Sequence, residues 1–399
     1  MTTATMGTGK NAANPRLIIG FAETVLDANH FLRRYHFLRR YHFLRRYDGT
    51  QEVIYGVAAE VDLDDLEYED DEDDEDGNDD PLEEVLAILE QDDDVAWIEP
   101  DIALGTLPIA VFEPGEENQI TPWGIKHAGA ADLNFGSTNL AGVDLYILDT
   151  AIRIEDLNVV EQLDFADSGA PGRHGFHVAG TAAALDDTTG VLGMAPGVRV
   201  HSFGVLDAAG KTELSTVITA LQEVRTRKLL NPDAAMVVNM SLGADIRTTV
   251  YNALDEAVED AVAAGVVVVV SAGNDGIDAA TVTPAHAAGA ITVGAYDASE
   301  TFASFSNHGP VVDILAPGVD ILSLGFAGNG QSGLALSTGT SMATPHVAGA
   351  VVLYLAAHPN ATPSQVRDAL VQESQVLITG APAGTTNRAL WVGFLDGDD

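Results

Sequence analysis

An unbroken run of five valines, Val266 to Val270, limits most sharply how this chain can fold. β-Branched residues favour strands. No polar residue alternates with them, so neither face of such a strand meets water. A strand buried on both faces belongs in the middle of a parallel sheet. Parallel neighbours are joined by crossovers, usually helical, so the run implies an α/β layered fold. It empties into Ser271-Ala272-Gly273-Asn274. In open α/β sheets, ligands gather at the carboxyl ends of strands.

Four further segments place a polar residue at a strand end or a helix start. Val143 to Thr150 reads as a buried strand that ends in an acid, Asp149. Met236 to Val238 is an apolar strand followed by Asn239-Met240-Ser241-Leu242-Gly243. His174-Gly175-Phe176-His177-Val178-Ala179-Gly180-Thr181 sets a histidine just ahead of a small-residue helix. Gly339-Thr340-Ser341-Met342-Ala343-Thr344-Pro345-His346 then places a serine at the mouth of the apolar helix that runs on to Leu355. Unpaired N–H groups at a helix start favour negative charge nearby. A serine there can be a plain cap, or it can present its hydroxyl beside oxyanion donors.

The order Asp149, His174, Asn274, Ser341 resembles the subtilisin-like serine peptidases (subtilases), over roughly residues 119 to 395. The resemblance implies an α/β three-layer domain with a mainly parallel central sheet. It implies an endopeptidase in which Ser341 attacks the scissile carbonyl, His174 takes its proton and Asp149 orients the imidazole. Asn274 would donate to the oxyanion. Ser241, Leu242 and Gly243 would pair with the substrate backbone, which gives affinity with little sequence demand and hence broad specificity. Ser271, Ala272 and Gly273 would form the other wall of the pocket for the residue before the cut. That wall is small and uncharged, so large apolar or aromatic residues are expected there. His177 and His346 read as packing residues. A lipase or esterase reading fails, because no G-x-S-x-G surrounds Ser341.

Three residues depart from the family pattern: Ala151 and Phe176 replace its Gly and Thr, and Arg173 precedes the histidine in place of Gly. Phe176 would crowd the base or shape the cleft. Arg173 would lower the histidine pKa if it lies close. Phe176 and Ala151 leave open a catalytically silent subtilase-fold binding protein. A processing protease with narrow substrates would need an acidic pocket that is not marked here.

The resemblance also implies structural Ca²⁺. The loop Leu185-Asp186-Asp187-Thr188-Thr189-Gly190-Val191 matches a subtilase loop rich in oxygen donors, which suit a hard cation. The implied ligands are Gln119, Asp156, Leu185, Asp187, Thr189 and Val191. Asp313 matches a second, weaker cation site.

Among 399 residues the net charge is −41, and removing the acidic run 62–80 still leaves −27. Such a chain is a poor nucleic-acid binder, since phosphate contacts need clustered bases. Acidic surfaces stay hydrated at high salt, where screening removes their self-repulsion, so a salt-rich habitat is expected. The chain has no Cys, so disulfides and thiolate metal sites are excluded. No sequence run marks a membrane span. Residues 1 to 15 lack an apolar signal core. The compartment is therefore left open between an intracellular protein, a missed start and unconventional export. Nothing marks an oligomer, so a monomer is expected.

The N-terminal third reads as a disordered start, 1–15, and a small α+β unit, 16–104, with the acidic loop 62–80 inserted. Residues 105–118 then form a linker or processing region before the peptidase domain, 119–395. Expected elements are strands at 16–22, 52–61 and 95–98, and helices at 28–47 and 81–90. By its place before the peptidase-like part, the unit resembles an inhibitory prodomain, which would make it an intramolecular partner besides protein or peptide substrates. Within the expected first helix, His-Phe-Leu-Arg-Arg-Tyr occurs three times, at 30–35, 36–41 and 42–47. Its six-residue period does not fit the 3.6 of a helix, so no clean apolar face forms.

Overall fold

In the computed structural model, the described residues are 16–21, 38–47, 52–61, 81–92, 94–100, 103–105, 110–112, 119–133, 140–246, 253–326, 332–374 and 377–395. The expected disordered start and the acidic run 62–80 lie outside them.

The N-terminal unit has strands β1 (Arg16–Phe21), β2 (Leu38–Tyr47), β3 (Glu52–Val61) and β4 (Val95–Pro100), with helix α1 (Pro81–Glu90) before the last. They form one antiparallel sheet in the order β2-β3-β1-β4. Val85 and Leu89 of α1 are buried, the apolar face that their spacing implied. The expected helix over 28–47 is corrected over its second half, where Leu38–Tyr47 is a strand; residues 28–37 are not described. The register of this strand against β3 shifts twice, between Arg40 and His42 and between Leu44 and Arg45, so Leu38 and Leu44, equivalent in the repeat, stand opposite Val61 and Gly56.

Two short strands follow, β5 (Ala103–Gly105) and β6 (Ala110–Phe112). After the short helix α2 (Trp123–His127) come β7 (Val143–Thr150), β8 (Val159–Asp164), helix α3 (Arg173–Ala183), β9 (Arg199–Leu206), β10 (Lys211–Glu213) and helix α4 (Leu214–Leu230). The chain continues through β11 (Ala235–Met240), β12 (Ala244–Asp245), helix α5 (Ala253–Ala263), β13 (Val267–Ser271), β14 (Val282–Thr283), β15 (Ile291–Tyr296) and β16 (Ile314–Pro317). The hairpin β17 (Ile321–Phe326) and β18 (Ser332–Ser337) precedes helices α6 (Thr340–Ala357) and α7 (Pro363–Gln372).

Seven strands form an all-parallel sheet in the order β16-β15-β13-β11-β7-β9-β8. The valine run is its third strand, next to the central β11, and alternate residues feed two separate cores. Val267 and Val269, with Leu145, Ile147 and Val237, pack with α3 and α6. Val266, Val268 and Val270, with Tyr146, Leu148 and Val238, pack with α4 and α5. Two cores on opposite faces of one sheet make three layers, as expected. Helix α6 is long and apolar enough to cross a membrane, but its side chains are the middle of the first core.

Candidate active site

Asp149 is the penultimate residue of β7 and is fully buried. Its Oδ1 accepts the N–H of Thr150 at 2.7 Å. The ring of His174, second residue of α3, places Nδ1 2.8 Å from both carboxylate oxygens. A carboxylate only accepts, so Nδ1 carries the proton and Nε2 of a neutral ring carries the lone pair. Nε2 is buried and has no protein partner. The helix reaches this close because Gly175 has no side chain: a Cβ there would stand 2.2 Å from the Thr150 carbonyl oxygen. The Gly175 N–H then donates to Thr150 Oγ1 at 2.9 Å.

Ser341 is the second residue of α6 and is buried. Pro345, four residues on, has no N–H for the Ser341 carbonyl. Ser241 fills that role, its Oγ donating to Ser341 O at 2.9 Å. In return Ser341 Oγ donates to Ser241 O at 3.2 Å. Asn239, a polar residue inside an otherwise apolar strand, donates through Nδ2 to Ser241 Oγ at 3.0 Å. Sequence reasoning misses both Asn239 and Thr150 as braces. An amide wholly inside an apolar run is the signal that could have found the first.

Asn274 lies in the loop after β13, where Gly273 has φ +100°, a conformation that suits glycine. Its Oδ1 accepts from Thr340 N at 2.7 Å and from Thr340 Oγ1 at 3.1 Å. A backbone N–H can only donate, which fixes the amide orientation and turns the NH₂ away from Thr340. Asn307 holds this loop, with Oδ1 accepting from Asp275 N and Ile277 N, and Nδ2 donating to Ala272 O. Thr340 and Asn307 act through Asn274 and carry no local sequence signal.

Ser241-Leu242-Gly243 and Ser271-Ala272-Gly273 face each other as two walls, joined by Ser271 Oγ donating to Leu242 O at 3.4 Å. Val282 lies between them. Its Cγ1 would be 3.5 Å from a Cβ on Gly243 and 3.7 Å from one on Gly273. Alongside, β5 pairs antiparallel with β10, Gly105 opposite Lys211 and Ala103 opposite Glu213, and lies against β12.

The departures from the expected pattern fall into place. Ala151 has no positive φ. Phe176 is corrected: it is buried in the core, packed on Phe326 at 6.1 Å, and does not line the cleft. Arg173 is exposed and turns its guanidinium onto Phe326. His177 is buried, and Nε2–H donates to Ile321 O and Ala335 O at 3.0 and 3.2 Å. Burial depresses its pKa to about 3, and that of His346 to about 4. Both are packing residues, as expected.

The chain matches the model of the subtilase family over residues 17–390. It belongs to that family. It is 41% identical over 302 residues to an extracellular serine proteinase of Thermus sp. (strain Rt41A), covering 72% of this chain and 67% of that one. It is 37% identical over 298 residues to subtilisin E of Bacillus subtilis (strain 168), covering 72% of each. A crystal structure of a cold adapted subtilisin-like serine proteinase superposes with a TM-score of 0.58 at 33% identity, covering 69% of this chain and 98% of that one. This subtilase is therefore a serine endopeptidase, a hydrolase whose substrates are proteins.

Subtilases commonly bind calcium. Among the described residues no three His, Cys, Asp or Glu side chains cluster. The six residues expected to be ligands nevertheless converge. Asp156, with φ +61°, aims two buried carboxylate oxygens that have no partner. Burial, and then the charge of Asp187, push its pKa up to about 7. Gly190 leaves room for it, since a Cβ there would meet Asp156 Oδ2 at 2.3 Å. Leu185 N donates to Asp156 O at 3.2 Å. Gln119 Nε2 donates to Leu185 O at 2.6 Å and approaches Val191 O at 3.4 Å. Asp187 Oδ1 accepts from Thr189 N at 2.7 Å. Two carboxylates among amide and backbone oxygens suit a hard cation. Asp313 stands elsewhere, its Oδ2 accepting from Thr292 N at 2.9 Å; burial raises its pKa.

Proposed function

We propose that this subtilase cuts peptide bonds through an Asp149–His174–Ser341 triad and is made as a self-processing zymogen. The observation that carries the reading is the His174 ring. It is clamped on Asp149 through Nδ1, and its Nε2 lone pair is buried and unclaimed. In the reaction the Ser341 hydroxyl would turn from Ser241 O to that lone pair. The serine then attacks the carbonyl as its proton leaves, and an acyl-enzyme forms. The Asn274 NH₂, with Oδ1 anchored on Thr340, and the Ser341 N–H would donate to the oxyanion. The Ser241–Gly243 and Ser271–Gly273 walls would take the residue before the cut. Both walls are small and uncharged, which favours large apolar or aromatic side chains there.

The unit 16–104 is read as the prodomain. Its support is β5, which lies against β10 and β12 as an extended substrate would, upstream of a linker that leads to Gln119. Gln119, Asp156, Leu185, Asp187, Thr189 and Val191 would hold a structural Ca²⁺, whose charge compensates the buried Asp156 carboxylate. Asp313 would serve a weaker cation site. Secretion is favoured by the relative named as extracellular, and a salt-rich habitat by the net charge.

The test is casein hydrolysis by the full chain and by Ser341→Ala, with Ca²⁺, at low and multimolar salt, followed by mass spectrometry of the chain itself. Hydrolysis by wild type alone, with wild type shortened between residues 99 and 118, is expected. Hydrolysis without shortening would remove the zymogen reading. Equal inactivity of folded wild type and variant would leave a silent binding protein.

A further inference from the structure

Arg173 stands one residue before His174 and is exposed. Its guanidinium carbon lies 5.9 Å from the centre of the Phe326 ring, and that of Arg153 lies 5.3 Å from the same ring. Glu155 pairs with Arg153. Arg173 meets no carboxylate among the described residues, in a chain with 60 acids and 19 Lys and Arg. A ring face holds a guanidinium in place without using its N–H donors. The result is a positioned, unspent, carboxylate-binding fork beside the histidine.

The course of the chain shows which side of the cleft this is. Residues 103–105 pair with β10, and residues 110–112 pair with β18, Phe112 opposite Leu334 and Ala110 opposite Leu336. Only residues 106–109 lie between, a reach of at most about 18 Å from Gly105 to Ala110. Helix α6 with Ser341 begins three residues after β18 ends at Ser337. For a substrate-like chain running from β10 to β18, which leads into the Ser341 helix, the β17-β18-β6 sheet lies on the leaving-group side. Phe326 is the last residue of β17 and stands opposite Ser332. β6 runs toward that end of the hairpin, and the sequence beyond it begins with Glu113 and carries Glu116 and Glu117.

We propose that Arg173, seated on Phe326, is a subsite for an acidic side chain of the substrate on the leaving-group side of the scissile bond. This rests on the endopeptidase reading of the same site and on a substrate-like path for residues 103–112. The experiment compares peptide pairs that differ only by Glu against Gln at each of the first three positions after the cut. Mature wild type, Arg173→Gln and Arg173→Lys are assayed at low and multimolar salt. The readout is the Glu/Gln ratio of kcat/KM, which a general loss of activity leaves unaltered. At low salt, wild type is expected to favour one Glu peptide by about three- to fivefold, the size of an exposed ion pair. Multimolar salt should erase the preference, because the screening length falls to about 3 Å at 1 M. Arg173→Gln should bring the ratio to one, and Arg173→Lys should leave part of it. Wild type without a Glu preference at any position, or an unchanged ratio in Arg173→Gln, overturns the proposal. If wild type cuts no peptide at all, the endopeptidase reading falls first.

Discussion

The Ser341 centre and the Asp156 loop are both polar and buried, yet they are built on opposite terms. Around Ser341 the protein braces most of the polar atoms itself. Asp149 has Thr150 and His174, Asn274 Oδ1 has Thr340, and the Ser341 carbonyl has Ser241 in place of a lost helical bond. Two buried atoms stay open there, the Asn239 Oδ1 acceptor and the His174 Nε2 lone pair, and the second is the group that the proposed reaction would use. Around Asp156 the carboxylate itself is orphaned, and the Gln119 amide reaches carbonyls that would otherwise face a cation. An unpaired buried carboxylate is costly, whereas an open imidazole lone pair is a modest one. The first site is braced by the protein alone, and the second is the one that the proposed cation would complete.

The strongest way to break this contrast is to disturb the centre without removing its atoms. Asp149→Asn keeps the shape but turns an acceptor toward Nδ1 into a mixed amide, which favours the wrong tautomer of His174. Its kcat is expected to fall by about 10⁴, the loss that the same change causes in other serine-protease triads. Urea unfolding should move far less. A variant that keeps most of its rate would mean that the Asp149–His174 contact is only packing. Asn274→Leu comes next, with kcat lower by about 10²- to 10³-fold and KM little changed, the range recorded for subtilisin's own oxyanion donor. Thr340→Val, which takes one of two bonds from Asn274 Oδ1, should give a smaller loss in the same direction. A KM effect alone in Asn274→Leu would place that side chain in ground-state binding.

The same contrast explains how much is legible in the sequence. Asp149, His174, Asn274 and Ser341 can be read there because each stands at a strand end or helix start, among glycines and small residues that such close approach requires. Gly175 against the Thr150 carbonyl is one such approach. The three-layer sheet follows from the valine run alone. The supports are not legible, because Thr340 and Asn307 act across 66 and 35 residues of chain. In sequence Arg173 is only a cation beside the base, whereas Phe326, 153 residues away, holds its guanidinium. The hexapeptide strand is hidden for another reason. Its period argues against a clean helix without naming a strand, and the partner β3 that decides the matter lies outside the repeat.

Calcium sharpens the comparison at the level of stability. With excess Ca²⁺ the fold should gain about 2.7 kcal/mol at one hundred times the dissociation constant. Asp156→Asn removes both the ligand charge and the orphaned charge. Wild type should therefore melt higher than the variant in Ca²⁺, and lower than it in chelator. A variant that melts lower in both conditions would show that Asp156 is not waiting for a cation. The Ser341 centre offers a control, since its kcat under short chelation should decay only as fast as the fold does.

The smallest effect concerns a third kind of buried polar group. His177 Nδ1 and His346 Nε2 are orphaned as Asp156 is, yet they need no ligand, because a neutral ring nitrogen without a partner carries no charge. The cost appears only in acid. Both rings stay neutral in the fold down to about pH 3 and 4 respectively, while the unfolded chain takes up a proton near pH 6.5. The unfolded state then binds more protons, so stability falls as pH drops below about 6.5 and stops falling once the native values are passed. Each ring contributes a slope of about 1.4 kcal/mol per pH unit in that window. His346→Gln, whose amide can still donate to Met342 O, should lose one ring's share of the slope between pH 6 and 4.5 in urea titrations. An unchanged slope would mean that His346 already carries a proton on both ring nitrogens in the fold across that range.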